Sequence, residues 1–119
     1  MEMLSPHFSR KELACPCCGA CEIDQALLDS LETLRAVAGG KPITIHSAYR
    51  CIKHNQDVNG AHGSTHMLGQ AADISIPGMA LWQIKMAAML VPRFANGGIG
   101  AYPQDGHLHV DIRQKSARW

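Results

Sequence analysis

The strongest constraint on this chain is a carboxylate set inside an apolar strand. Residues 71–76, Ala-Ala-Asp-Ile-Ser-Ile, read as a strand closed by Pro77 and Gly78. An ionised side chain at Asp73 is expensive to bury unless it is paired or bound to a metal. Any fold that uses this strand must therefore bring polar partners to position 73. His66 stands seven residues earlier, in a stretch over 59–70 that carries Gly60, Gly63, Ser64 and Gly69 and reads as a loop.

A second segment offers partners. Residues 107–112, His-Leu-His-Val-Asp-Ile, read as a last strand. His107 and His109 are two apart and share one face, which Asp111 continues. Zinc accepts imidazole nitrogen and carboxylate oxygen, and a catalytic site keeps three protein ligands and one open position. Two histidines and one carboxylate supply that set. His-x-His alone is a weak signal, since a strand histidine is more often structural than ligating. The helical His-Glu-x-x-His pattern is absent.

The remaining segments frame these two. Residues 1–23 read as irregular, with Ser9 and Glu12 in capping-box spacing. Asp24 to Ala38 is the clearest helix, capped by Asp24, with Leu27, Leu31, Leu34 and Ala38 on one face. Gly39, Gly40 and Pro42 end it. Residues 43–48 read as a strand, and 51–58 as a short helix. A second long helix is expected over 79–91, with Leu81, Ile84, Ala88 and Val91 inward and Pro92 as its stop. Gly97, Gly98 and Gly100 suggest a close backbone approach. Strands without regular βαβ alternation point to an α+β domain with a largely antiparallel sheet and two main helices packed on it. One domain spanning 1–119 is expected from the length.

Bulk properties exclude several classes. With 46% hydrophobic and 18% charged residues the chain is globular rather than disordered. A net charge of +1 argues against nucleic acid or an anionic membrane surface as partner. No apolar run approaches a membrane span. Residues 1–10 lack the apolar core of a secretion signal. A monomer is the default expectation.

Five cysteines are an odd number, and Cys15, Cys17, Cys18 and Cys21 are crowded together. With no secretion signal in view, a disulfide framework is disfavoured. The choice is between free thiols and a second, structural zinc held by those four, as in a Cys-Pro-x-Cys-Gly knuckle. Cys51 reads as a small buried hydrophobe rather than a ligand.

The string STHMLGQAAD over residues 64–73 resembles the S-x-H-x-x-G-x-A-x-D signature of the zinc D-alanyl-D-alanine carboxypeptidases and related phage endolysin peptidases. GHLHVD over residues 106–111 resembles their second signature, H-x-H-[VIL]-D. ITIHSAYR over residues 43–50, followed by His54 and Asn55, resembles the strand that ends S-G-Y-R. The likeness runs from about Phe8 to Arg113. It implies the hedgehog/D,D-peptidase fold, with zinc on an antiparallel sheet.

Position by position, the resemblance implies His66, Asp73 and His109 as zinc ligands. His107 would assist proton transfer or stabilise the tetrahedral intermediate. Arg50 would bind a substrate carboxylate or polarise the scissile carbonyl, and Ser64 would bind substrate backbone. Several family members carry an acidic base three residues before the last ligand. Here that position is Gly106, and the base is His107 or, from the turn, Asp105. The implied activity is zinc-dependent hydrolysis of a peptidoglycan stem peptide, by D,D-carboxypeptidase or endopeptidase action. The expected setting is the cell wall after phage-type release. The alternative is a non-catalytic phage structural or wall-binding module that keeps the fold.

Overall fold

The computed structural model describes residues 2–119. The helices are α1 (Arg10–Leu13), α2 (Gln25–Val37), α3 (Ile52–Asp57), α4 (Leu81–Ala88) and α5 (Pro92–Ala95), with a 3-10 turn over Thr65–Leu68. The strands are β1 (Thr44–Ser47), β2 (Ala71–Ser75), β3 (Gly98–Tyr102), β4 (His107–Asp111) and β5 (Ala117–Arg118). They form one sheet in the order β1-β2-β4-β3-β5. Every pair is antiparallel except β3 with β5, which is parallel. The α+β expectation holds, with a parallel edge strand added. No helix among the described residues is long and apolar enough to cross a membrane.

Local rules account for the best-defined elements. Asp24 caps α2, its Oδ1 accepting from the Ala26 amide at 2.9 Å. Leu27, Leu31 and Leu34 recur at helical spacing and are fully buried. Truncating any one of them to alanine costs about 2–5 kcal/mol. Gly39 and Gly40 end the helix in the left-handed region, where a side chain would be strained. Ser9 and Glu12 form the expected capping box at α1.

The sheet has two chemically distinct faces because its period is two. Across the register, Ile45, Ile74, Leu108 and Ala101 line up, as do Ala72, Val110 and Ile99. These rows belong to the core shared with Leu31 and Leu34 of α2, Ile84 and Ala88 of α4, and Phe94 of α5. The alternating rows face the other way: Ser47–Asp73–His109–Gly100, then Ala71–Asp111–Gly98, then His107–Tyr102. A one-residue slip of β2 would drive Asp73 into the core.

Several expectations need correction. The second helix is shorter than 79–91: α4 ends at Ala88, and Pro92 does not stop it but opens α5. Proline is at home there, because the first helical position has no intrahelical use for its missing N–H. Residues 98–102 form a strand that two glycines disguise. A Cβ at Gly98 would strike the Asp111 carboxylate, and one at Gly100 the Trp119 ring.

Candidate active site

The three residues singled out by spacing meet on the polar face of the sheet. Asp73 and His109 are cross-strand partners in the β2–β4 register, so their side chains stand next to each other. His66 reaches them from the 3-10 turn, whose start is capped by Ser64 accepting from the His66 amide at 3.2 Å. His66 Nε2 is 3.2 Å and His109 Nδ1 3.1 Å from Asp73 Oδ1. All three residues are buried, and each offers a ligand atom within 4.8 Å of the others.

The far side of each imidazole is also engaged. His66 Nδ1 donates to the Ala48 carbonyl at 2.7 Å. His109 Nε2 donates to Asp111 Oδ2 at 2.7 Å. With those far-side protons assigned, His66 Nε2 and His109 Nδ1 are the nitrogens left to offer a metal, and both face Asp73. Carbonyl or carboxylate support behind an imidazole is the arrangement that fixes the tautomer of a metal-bound histidine. Two imidazoles and one carboxylate converging in a buried spot have the donor chemistry of a zinc site.

Asp111 completes this support. It is fully buried. It accepts from the Gly98 amide at 2.9 Å and from Arg113 Nη2 at 2.7 Å, besides His109. Burial alone would raise both carboxyls. For Asp73, hydrogen bonds from His109 and His66 outweigh it and hold the group well below the usual carboxylate range. For Asp111, His109 and Arg113 do the same. Both groups are therefore anionic at neutral pH. For His109, burial pushes the imidazole down, but hydrogen bonds to Asp111 and Asp73 pull it up by more.

Arg50 lines the cleft and is held beside the cluster by three hydrogen bonds. Its Nε donates to Ser47 Oγ at 3.1 Å, Nη1 to Asn55 Oδ1 at 3.3 Å and Nη2 to Asp73 Oδ2 at 3.2 Å. The remaining N–H groups of its fork are left for a ligand. Sequence reasoning did not single out Asn55 for this role. It is buried, and its Nδ2 donates to the Ala61 carbonyl at 3.1 Å, tying Arg50 to the cleft loop. Gly60 has no room for a Cβ because Asn55 fills that space.

The site opens into a cleft of about 610 Å³ that also takes in Ser64, Tyr102, Asp105, His107 and Trp119. His107 lies on its wall, with Nε2 3.8 Å from Asp73 Oδ2 and its ring between His46 and Tyr102. Burial pushes the His107 imidazole down, His46 and His109 add to this, and Asp73 and Asp105 only partly offset it. His46 comes this close because the β1–β2 register shifts between Ile45 and Ser47, leaving it as an extra residue in β1. Asp105 sits exposed in the turn before Gly106, on the cleft rim.

Trp119 and Arg113 escaped the sequence reading. The Trp119 ring lies 5.0 Å from His109, centroid to centroid, and its Nε1 donates to Tyr102 Oη at 2.7 Å. The Arg113 guanidinium stacks over the same ring. No local motif announces this; pairing of β5 with β3 brings Trp119 there.

The cysteine expectation is corrected in one member. The sulfurs that converge belong to Cys15, Cys17, Cys18 and Cys51. Cys21 instead packs against the hydrophobic core. Cys51 is brought in because β1 ends beside α1, where the Tyr49 amide donates to the Leu13 carbonyl at 3.1 Å.

The chain resembles known proteins over much of its length. The chain is 37% identical over 95 residues to the peptidoglycan L,D-endopeptidase MepK of Escherichia coli K12, covering 75% of this chain and 50% of that protein. It is 36% identical over 80 residues to the zinc D-Ala-D-Ala carboxypeptidase of Streptomyces albus G, covering 67% of this chain and 31% of that protein. The chain thus spans about half the length, or less, of the curated relatives it matches. Residues 6–111 match the family described as peptidase M15, a span holding every residue of the buried cluster, and the chain belongs to that family.

Proposed function

We propose that this chain is a zinc-dependent peptidase that hydrolyses an amide bond in the stem peptides of peptidoglycan. The observation that carries the reading is the convergence of His66 Nε2, His109 Nδ1 and the Asp73 carboxylate in one buried spot at the floor of an open cleft. Membership of the peptidase M15 family and the printed activities of the two relatives support the substrate class.

In this reading His66, Asp73 and His109 hold the metal. Zinc, when bound, polarises a carbonyl and lowers the pKa of water toward ~7. The protein's own groups do the rest. Ala48 and Asp111 hold the two imidazoles in the ligating tautomer. Arg50 keeps the outer oxygen of Asp73 engaged, so that Oδ1 stays aimed at the histidines. The His107 imidazole, neutral at working pH through its burial, takes a proton from the attacking water and returns it to the leaving amine. Arg50 also stands where a developing negative charge on the carbonyl oxygen would meet a cation. Ser64 and Tyr102 supply hydroxyls along the cleft for the peptide backbone.

The test is digestion of purified peptidoglycan followed by mass spectrometry of the released fragments. Protein with zinc should release peptide fragments. Chelation should stop release, added zinc should restore it, and His66→Ala should abolish it. Release that survives chelation, or persists in His66→Ala, would sink the metal reading. Wall binding with no release by the zinc-loaded protein would favour a binding module instead.

A further inference from the structure

We propose a second metal site, a structural tetrathiolate zinc centre built from Cys15, Cys17, Cys18 and Cys51, which clamps the N-terminal segment onto the backbone behind Arg50. Four cysteine sulfurs from two distant parts of the chain lie within 4.8 Å of one another. Cys15 Sγ is 3.5 Å from Cys17 Sγ and 3.6 Å from Cys51 Sγ, and Cys17 Sγ is 3.3 Å from Cys51 Sγ. Zinc–sulfur bonds of ~2.3 Å in a tetrahedron set the sulfurs roughly 3.8 Å apart. The observed spacings come near that value. They are far from the ~2.05 Å of a disulfide.

The backbone around the sulfurs is built for ligation. Residues 15–20 form a tight turn closed by Gly19 amide to Cys15 carbonyl at 2.8 Å and Cys15 amide to Ala20 carbonyl at 2.7 Å. Gly19 takes the left-handed conformation that the turn needs. Cys51 caps α3, and its sulfur accepts from the His54 amide at 3.4 Å.

Metal binding displaces the thiol protons to solvent, and no redox change is involved.

The position of the site gives it a purpose. Cys51 directly follows Arg50, whose amide donates to the His66 carbonyl at 3.1 Å. Ala48, three residues before Cys51, accepts from His66 Nδ1. Fixing Cys51 therefore fixes the 48–51 segment that orients His66 and aims Arg50 at Asp73. The site lies outside the cleft and supplies no group to it, so its role is positioning.

The experiment reads metal and thiols rather than activity. Zinc is measured by mass spectrometry in His66→Ala, Cys51→Ser and Cys21→Ser proteins prepared under reducing conditions. His66→Ala should keep about one zinc per chain, the number a single structural site holds. Cys51→Ser should lose that ion, and Cys21→Ser should keep it. Cobalt loaded into His66→Ala should show the strong thiolate-to-metal charge-transfer absorption of a tetrahedral sulfur site. In metal-replete wild type only Cys21 should react with a thiol reagent, and chelation should release the other cysteines. If Cys51→Ser fails to fold, the cobalt spectrum and the thiol count decide. The proposal fails if His66→Ala is metal-free, if all cysteines react before chelation, if a disulfide is found among the four, or if Cys21→Ser loses the ion. None of these outcomes depends on peptidase activity.

Discussion

His109 and Asp111 lie on the same face of β4, and the Nε2 of the first is 2.7 Å from the Oδ2 of the second. Residues two apart in a strand point the same way, so the sequence His-Val-Asp places a carboxylate directly behind the imidazole. That contact assigns the proton to Nε2 and leaves Nδ1 facing Asp73. It lets β4 supply a candidate ligand and its support within three residues.

Asp111→Asn tests this support. An amide can present its NH₂ to Nε2 and turn the imidazole to the other tautomer. Zinc affinity should fall about 10–100-fold, the usual cost of losing such a partner. A competition titration with a zinc chelator measures it. An unchanged affinity would show that the tautomer is set elsewhere.

Asn55→Ala tests how Arg50 is held. The variant removes the Nη1 acceptor and the tie to the Ala61 carbonyl. Zinc content should stay the same. Activity in kcat/KM should drop about 10–100-fold, as expected when a catalytic group shifts by around an ångström. Full activity would mean that Ser47 and Asp73 alone fix Arg50.

His107 and Asp105 are separated by paired variants. His107→Gln should lower kcat by about 10²–10⁴-fold, the contribution of a general base, with zinc still bound. Asp105→Asn should change kcat only a few-fold, because Asp105 is exposed and acts on the cleft only through its charge. The reverse order would move the base to the turn.

Glu32 gives a pH-dependent stability. It accepts from Ser5 Oγ at 2.6 Å and from the His7 amide at 2.8 Å, tying the N-terminal segment to α2. Burial raises its carboxyl, yet these bonds and His7 bring it below its ordinary 4.5. A carboxyl depressed in the folded state stabilises above its unfolded value and loses that contribution as pH falls through the folded value. Glu32→Gln should therefore be less stable near neutral pH, by up to about 1 kcal/mol for so open a pair. The gap to wild type should close below pH 4.5. Denaturant melts across pH check it, and a gap that widens in acid would contradict the assignment.

Much of this was legible in local pattern. The leucine spacing and Asp24 cap marked α2, and the β-branched and alternating runs marked β1, β2 and β4 to within a residue or two. Asp73 stood out because an apolar strand does not tolerate a lone carboxylate. Strand β3 was hidden, since Gly98 and Gly100 look like loop until Asp111 and Trp119 are seen to need the space. The split at Pro92 was hidden because proline both ends and begins helices.

The amino-acid sequence by itself determined which residues were chemically costly enough to need partners: Asp73, the paired histidines of β4 and the crowded cysteines. It did so through rules of period and burial that act over a few residues. Tertiary structure decided which partners they received. Register set Asp73 beside His109, the meeting of β1 with α1 brought Cys51 rather than Cys21 to the thiol cluster, and β5 laid Trp119 against His109. Those choices depend on contacts between residues tens of positions apart, and no local spacing encodes them.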